Sequence, residues 1–224
     1  MIGNYDYTVW LTYGSAVSAV VGILVAMADA GHPYGAALCL MISGLFDAFD
    51  GRVARTKKNR TESEKNYGIQ IDSLSDLVAF GVLPVCIGAA LLRRAPLDAA
   101  VYRVRSCFLI AAAAVYVLAA LIRLAYYNVT ELEREQADPG RREFYTGLPV
   151  TSAALIFPTF LLLQHFVRAD LTLVYFLLLP ATAAAFVLRF RCRKPRLKTV
   201  LVMVGVGFAE FAVVLIFRYL LRRG

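Results

Sequence analysis

Four aspartates and an arginine stand at helical spacing in segments otherwise apolar enough to lie in hydrocarbon. Asp47, Asp50, Gly51 and Ala54 fall at i, i+3, i+4 and i+7, with Arg55 immediately after. On a helix of 3.6 residues per turn they form one stripe, with Arg55 at its edge. Gly68, Asp72 and Asp76 fall at i, i+4 and i+8 and form a second stripe. Carboxylates at such positions are costly unless something compensates them, which marks them as functional.

One short polar connection joins the two stripes, so their helices are expected to be antiparallel neighbours with the carboxylates converging at one end. Four converging carboxylates repel one another and need cations. Oxygen donors without His or Cys select hard divalent ions, Mg²⁺ or Mn²⁺. Two such ions, roughly 3.5–4 Å apart, would clamp a phosphoryl group for in-line displacement. Gly51 and Ala54 keep the surface bare for a large phosphorylated substrate, and Arg55 can pair with phosphate oxygens. A single Asp near a helix end is ordinarily solvated or capping, and small residues ordinarily pack. Four carboxylates in two matched stripes have no such explanation.

The elements that must hold these stripes are membrane spans. Of the 224 residues, 59% are apolar, and the mean hydropathy is +0.63. Several runs reach the roughly 20 residues that cross a bilayer as helix. Spans are expected at 9–30, 34–55, 68–92, 106–128, 148–166, 171–188 and 199–221, in one domain over 1–224 with no internal repeat. The fold class is therefore all-α, a polytopic transmembrane bundle of about seven spans. No basic stretch precedes the first apolar run, which reads as a span and not a cleaved signal.

Lys and Arg number five over 55–68, three over 128–147 and six over 189–198, against four over 93–105 and one at Arg168. That bias turns the carboxylate end toward the cytoplasm, although the basic loop at 93–105, with three more basic residues near the C-terminus on the same side, weakens it. The net charge of +8 is explained by topology and anionic headgroups, and not by nucleic acid. Cys39, Cys86, Cys107 and Cys192 have no metal-type spacing and read as free thiols.

At these residues the chain resembles the CDP-alcohol phosphatidyltransferase family. The family signature, D-x2-D-G-x2-A-R-x8-G-x3-D-x3-D, has all eight of its named positions here. Spacing is the departure: twelve residues, not eight, separate Arg55 from Gly68. The added turn and loop should lengthen the connection without moving either stripe, and they leave Thr61 and Ser63 as weak candidates only. Within the family, Asp72 to Pro84, Arg123 to Asn128 and Phe144 to Ser152 are similar to the serine-using members.

The resemblance implies a six-helix core, a homodimer, and transfer of a phosphatidyl group from CDP-diacylglycerol to L-serine with release of CMP. It makes Asp47, Asp50 and Asp72 metal ligands and Asp76 the general base, also touching a metal. Gly51, Ala54, Arg55 and Gly68 would meet CDP-diacylglycerol. Arg123, Asn128, Tyr145 and Thr146 are candidates for serine, in competition with snorkelling and helix-start roles. Two Mg²⁺ or Mn²⁺ ions per site, membrane lipids as surroundings and a prokaryotic plasma membrane complete the expectation. The alternatives are another acceptor (glycerol phosphate or inositol phosphate), an ether-lipid donor, and a divalent-cation transporter, since intramembrane carboxylates also line ion paths.

Other features read as structural. Glu210 is expected to be hydrogen-bonded within the bundle or at a subunit contact, and His32 and His165 to be interfacial. The basic segment 189–198 is a topology signal, and Val174 to Pro180 is expected to face lipid.

Overall fold

Small residues set the first contact of the bundle. In the computed structural model, which describes residues 3, 5–29, 31–137, 144–167, 170–193 and five isolated positions beyond 204, α1 (Trp10–Met27) packs along α2 (Pro33–Ala54). Ser15 and Ser43 exchange hydroxyl-to-carbonyl hydrogen bonds of 3.3 and 3.0 Å, and Ser18 donates to the Cys39 carbonyl at 2.9 Å. A Cβ on Gly22 would lie 2.8 Å from that of Cys39, so only glycine allows this approach. Gly31, at φ 55°, turns the chain, and Pro33 opens α2, where its missing N–H has no helical partner to lose.

The next rod runs unbroken from Glu62 to Arg94, as α3 (Glu62–Asp76), a π-helical segment (Leu77–Val82) and α4 (Leu83–Arg94). It begins six residues before the span expected from Gly68. The cause is a capping box: Thr61 accepts from the Glu64 amide at 3.2 Å, and the Glu64 side chain accepts from the Thr61 amide at 2.9 Å. The polar connection after Arg55 therefore shrinks to a short loop. Inside the rod, Pro84 cannot donate to the Phe80 carbonyl one turn back, and the backbone widens there. That carbonyl accepts instead from the Tyr116 hydroxyl at 2.6 Å.

Tyr116 belongs to α5 (Ala99–Ala137), whose 39 residues make a rod of about 58 Å. It extends past the expected span of 106–128 at both ends. Asp98 caps its start, accepting from the Val101 amide at 2.8 Å, and the helix-favouring residues Glu131 to Ala137 prolong its end. After β1 (Phe144–Thr146) come a 3₁₀ turn (Val150–Ser152), α6 (Ala153–Val167), α7 (Thr172–Val187) and β2 (Arg191–Arg193). β1 and β2 pair antiparallel, Tyr145 opposite Cys192, adding a short ribbon to the otherwise helical fold. Gly147, at φ 77°, lets the chain press against the end of α7, where its amide donates to the Phe190 carbonyl and the Leu148 amide to that of Ala185.

Tyr116, Phe157, Tyr175 and Phe186 form an aromatic core with ring centroids 5.2–5.6 Å apart. Its location corrects the expectation for Val174 to Pro180: Tyr175, Phe176 and Leu179 are buried, while Val174 and Leu177 face outward. Helices 7–27, 62–94 and 99–131 are long and apolar enough to cross a membrane, and 150–164 and 172–187 are shorter apolar helices. The chain is an integral membrane protein built as a helical bundle. All but five positions of the expected seventh span lie outside the described residues, as do Glu210 and the side chains of His165 and Cys192. Cys39, Cys86 and Cys107 are free.

Candidate active site

The end of α2 and the second half of α3 meet the start of α1 and the later turns of α5 at one end of the bundle. There Asp47, Asp50 and Asp72 each present a carboxylate oxygen, all within 4.8 Å of one another. Asp76 joins them from α3, in hydrogen-bonding reach of Asp47, as Asp72 is of Asp50. Asp50 and Asp76 are 9% and 7% exposed, so water does little to separate their charges. Carboxylates this close must share protons or hold a cation.

The donors fit a hard divalent ion. All are oxygens, and Asp72 Oδ1 is a buried acceptor with no hydrogen-bond partner. One partner of the cluster was not foreseen. Thr12 on α1 donates to Asp50 Oδ2 at 3.1 Å, and its own carbonyl accepts from Ser75 at 3.2 Å. Thr12 thus ties both carboxylate helices to α1 and fixes one oxygen of Asp50. Its position in an apolar run, 38 residues from Asp50, gave no local signal.

The glycines and arginines surround the cluster at its outer end. Arg55 ends α2 and folds back over Gly51, its Nη1 3.5 Å from where a Cβ would stand. Arg60 lies over Gly68 in the same manner, with Nη2 2.7 Å from the corresponding point. Ala54 is half-buried on the α2 stripe. Behind the loop, Lys57 pairs with Asp6 and, at 2.9 Å, with Glu64, while Tyr7 bonds Thr56 at 3.2 Å. The hydrogen bond from Lys57 holds the Asp6 carboxyl below its ordinary range, and the same contacts raise Lys57.

Of the four candidates for serine, two side chains are placed. Asn128 exchanges hydrogen bonds of 2.8 and 3.1 Å with Ser73, the neighbour of Asp72. Arg123 is buried, stacks over Tyr127 and donates to the Leu148 carbonyl at 3.2 Å, linking α5 to the segment after β1. Tyr145 and Thr146 lie on β1, and their side chains are outside the described residues. Thr61 is spent on the helix cap.

The family model described as CDP-alcohol phosphatidyltransferase matches residues 8–189, from the start of α1 through α7, and the chain belongs to that family. It is 34% identical over 119 residues to a CDP-diacylglycerol–serine O-phosphatidyltransferase of Saccharomyces cerevisiae, covering 52% of this chain and 38% of that protein. The Helicobacter pylori (strain 26695) protein of the same name is 29% identical over 163 residues, 70% of this chain and 60% of its own. An archaetidylserine synthase of Methanothermobacter thermautotrophicus is 32% identical over 148 residues, 66% and 54% respectively. The matched region thus spans between about two-fifths and three-fifths of these relatives. No solved structure matches the chain.

Proposed function

We propose that this protein transfers a phosphatidyl group from CDP-diacylglycerol to the hydroxyl of L-serine, forming phosphatidylserine and CMP. The observation that carries the proposal is the cluster itself: carboxylate oxygens from two helices within 4.8 Å, one with an open buried acceptor, in a chain of this family. The names of the yeast and H. pylori relatives support serine as acceptor.

Asp47, Asp50 and Asp72, with Asp76 beside them, would hold two divalent ions, Mg²⁺ or Mn²⁺. Bound there, the ions would polarise the phosphoryl oxygens and spread the charge of the leaving group. Thr12 holds one oxygen of Asp50 by its hydrogen bond and so orients that carboxylate. Asp76 takes the proton from the serine hydroxyl, which is a poor nucleophile at neutral pH. The hydroxyl oxygen bonds to the β-phosphorus, the bond from that phosphorus to the bridging oxygen breaks, and CMP leaves carrying the electron pair. Gly51 and Gly68 would meet the CDP moiety beside the guanidinium groups that lie over them, and Arg55 would pair with the diphosphate oxygens. Asn128, beside Ser73, and Arg123 would flank the serine.

The reading places the site at the cytoplasmic face of a prokaryotic plasma membrane and includes a homodimer, which size measurement in detergent would test. The deciding experiment gives purified protein CDP-diacylglycerol, Mn²⁺ or Mg²⁺ and a panel of labelled alcohols. CMP release is expected with serine. Release with glycerol phosphate or inositol phosphate but not serine would overturn the acceptor. The Methanothermobacter relative gives a second reading of the donor, an ether lipid, which the same assay distinguishes by comparing diacyl and diether CDP-lipids.

A further inference from the structure

Among the twelve residues between Arg55 and Gly68 stands an arginine, Arg60, that is not one of the signature's named positions. We propose that Arg60 is a second phosphate-binding arginine of the donor site, lying over α3 as Arg55 lies over α2. The proposal rests on the reading of that site as one for a nucleoside-diphosphate lipid.

Placement comes first. Gly51 follows Asp47 by one turn on α2, and Gly68 precedes Asp72 by one turn on α3, so both mark the outer end of the cluster. Each has a guanidinium over its bare backbone, Arg55 on one and Arg60 on the other. The two arginines therefore lie toward the outer end of the metal ligands, one over α2 and one over α3. A diphosphate carries two negative charges, and one arginine matches one of them.

The bonding of Arg60 leaves one of its buried donors open. Its Nη2 donates to the Glu64 backbone carbonyl at 3.1 Å, while Nε is buried with no partner. No carboxylate among the described residues pairs with it, because the nearby Glu64 side chain is taken by Lys57 at 2.9 Å and by the Thr61 amide at 2.9 Å. A buried donor without an acceptor is costly, and a ligand oxygen would remove that cost. The residue is also held in place. Lys57 ties its loop to Asp6 and Glu64, Tyr7 bonds Thr56, and the capping box fixes Thr61 next to it. A residue that served only to snorkel to headgroups would not need this anchoring.

The test compares wild type, Arg60→Gln and Arg60→Lys in detergent with Mn²⁺, measuring affinity for CDP, CMP and cytidine alongside steady-state CMP release. Loss of one charge-assisted contact predicts CDP affinity roughly ten-fold weaker in Arg60→Gln, with a matching rise in KM for CDP-diacylglycerol. CMP should weaken less and cytidine not at all. The KM for serine should stay within about two-fold, and Arg60→Lys should recover part of the loss, since it restores charge without the fork. Unchanged CDP affinity in Arg60→Gln would overturn the proposal. An equal loss for CDP and cytidine would also overturn it, because that pattern marks a role in folding. If wild type itself binds no CDP, the proposed function fails. If wild type binds CDP and Arg60→Gln does so equally well, only this inference fails.

Discussion

Gly44 offers a perturbation whose size can be worked out in advance. It lies on α2 three residues before Asp47, and a Cβ there would stand 2.5 Å from the Cβ of Ala154 on α6. Ordinary carbon–carbon contact begins near 3.4 Å, so Gly44→Ala must part the helices by about 0.9 Å or shift α2 along its axis. Overpacking of this kind costs about 1–3 kcal/mol. The shift also moves Asp47 and Asp50 relative to Asp72, in a cluster whose oxygens lie within 4.8 Å. Misplacement of about 1 Å can lower turnover by about two orders of magnitude. Gly44→Ala should therefore weaken Mn²⁺ dependence and turnover together, beyond what its lower thermal stability explains. Ala154→Gly removes the atom in the way, so the double variant should recover most of the lost stability and activity. Thermal unfolding in detergent and CMP release would be measured on all four proteins. If Ala154→Gly fails to rescue Gly44→Ala, the α2–α6 contact does not set the position of the carboxylates.

Asp76→Asn keeps the shape of the site, so it should fold and bind CDP while CMP release falls by about 10²–10⁴. Asp47→Asn should instead weaken metal and donor binding together; normal turnover in Asp76→Asn would remove its assignment as base. Thr12→Val deletes the donor at Asp50 Oδ2 and should raise the half-saturating Mn²⁺ concentration roughly ten-fold at unchanged helicity. Tyr116→Phe leaves the Phe80 carbonyl unpaired beside Pro84 and should cost about 1–3 kcal/mol in unfolding, with little change in KM. For the loop anchor, the Asp6 carboxyl is held below its ordinary 3.8 and Lys57 above its ordinary 10.5, each by the hydrogen bond between them. The contribution of Asp6 is complete above pH about 4 and lost as pH falls through its lowered value, while that of Lys57 is lost as pH rises past about 10.5. Hydrogen exchange over residues 5–12 should show protection inside that window, and Lys57→Ala should abolish the pH dependence.

The carboxylate stripes were legible because helical spacing is a local property: Asp47 with Asp50, and Asp72 with Asp76, can only align one way on a helix. The helices over 7–27, 62–94 and 99–131 were legible for the same reason, as apolar runs of sufficient length. The early start of α3 was also written locally, in the pairing of Thr61 with Glu64, but the density of charge from Lys57 to Lys65 obscured it. Thr12 is different in kind. Its partner is on another helix, and a threonine among apolar residues carries no mark of what it will face. The burial of Tyr175, Phe176 and Leu179 depends on which side of α7 packs on the bundle, and an apolar run without charged residues has no solvent-seeking side to mark the other as buried. The widened turn at Leu77–Val82 needed the knowledge that the helix continues through Pro84 and that Tyr116 is near enough to take the freed carbonyl.

The central claim is that the four carboxylates hold divalent ions and move a phosphatidyl group to serine. Its most direct test is metal-stripped protein titrated with Mn²⁺ in the presence of CDP-diacylglycerol and labelled serine, with both products counted. The account predicts no product without metal, then CMP and labelled phosphatidylserine in equal amounts, and neither from Asp76→Asn. Turnover that persists without divalent metal, or CMP formed with no label entering lipid, would contradict it.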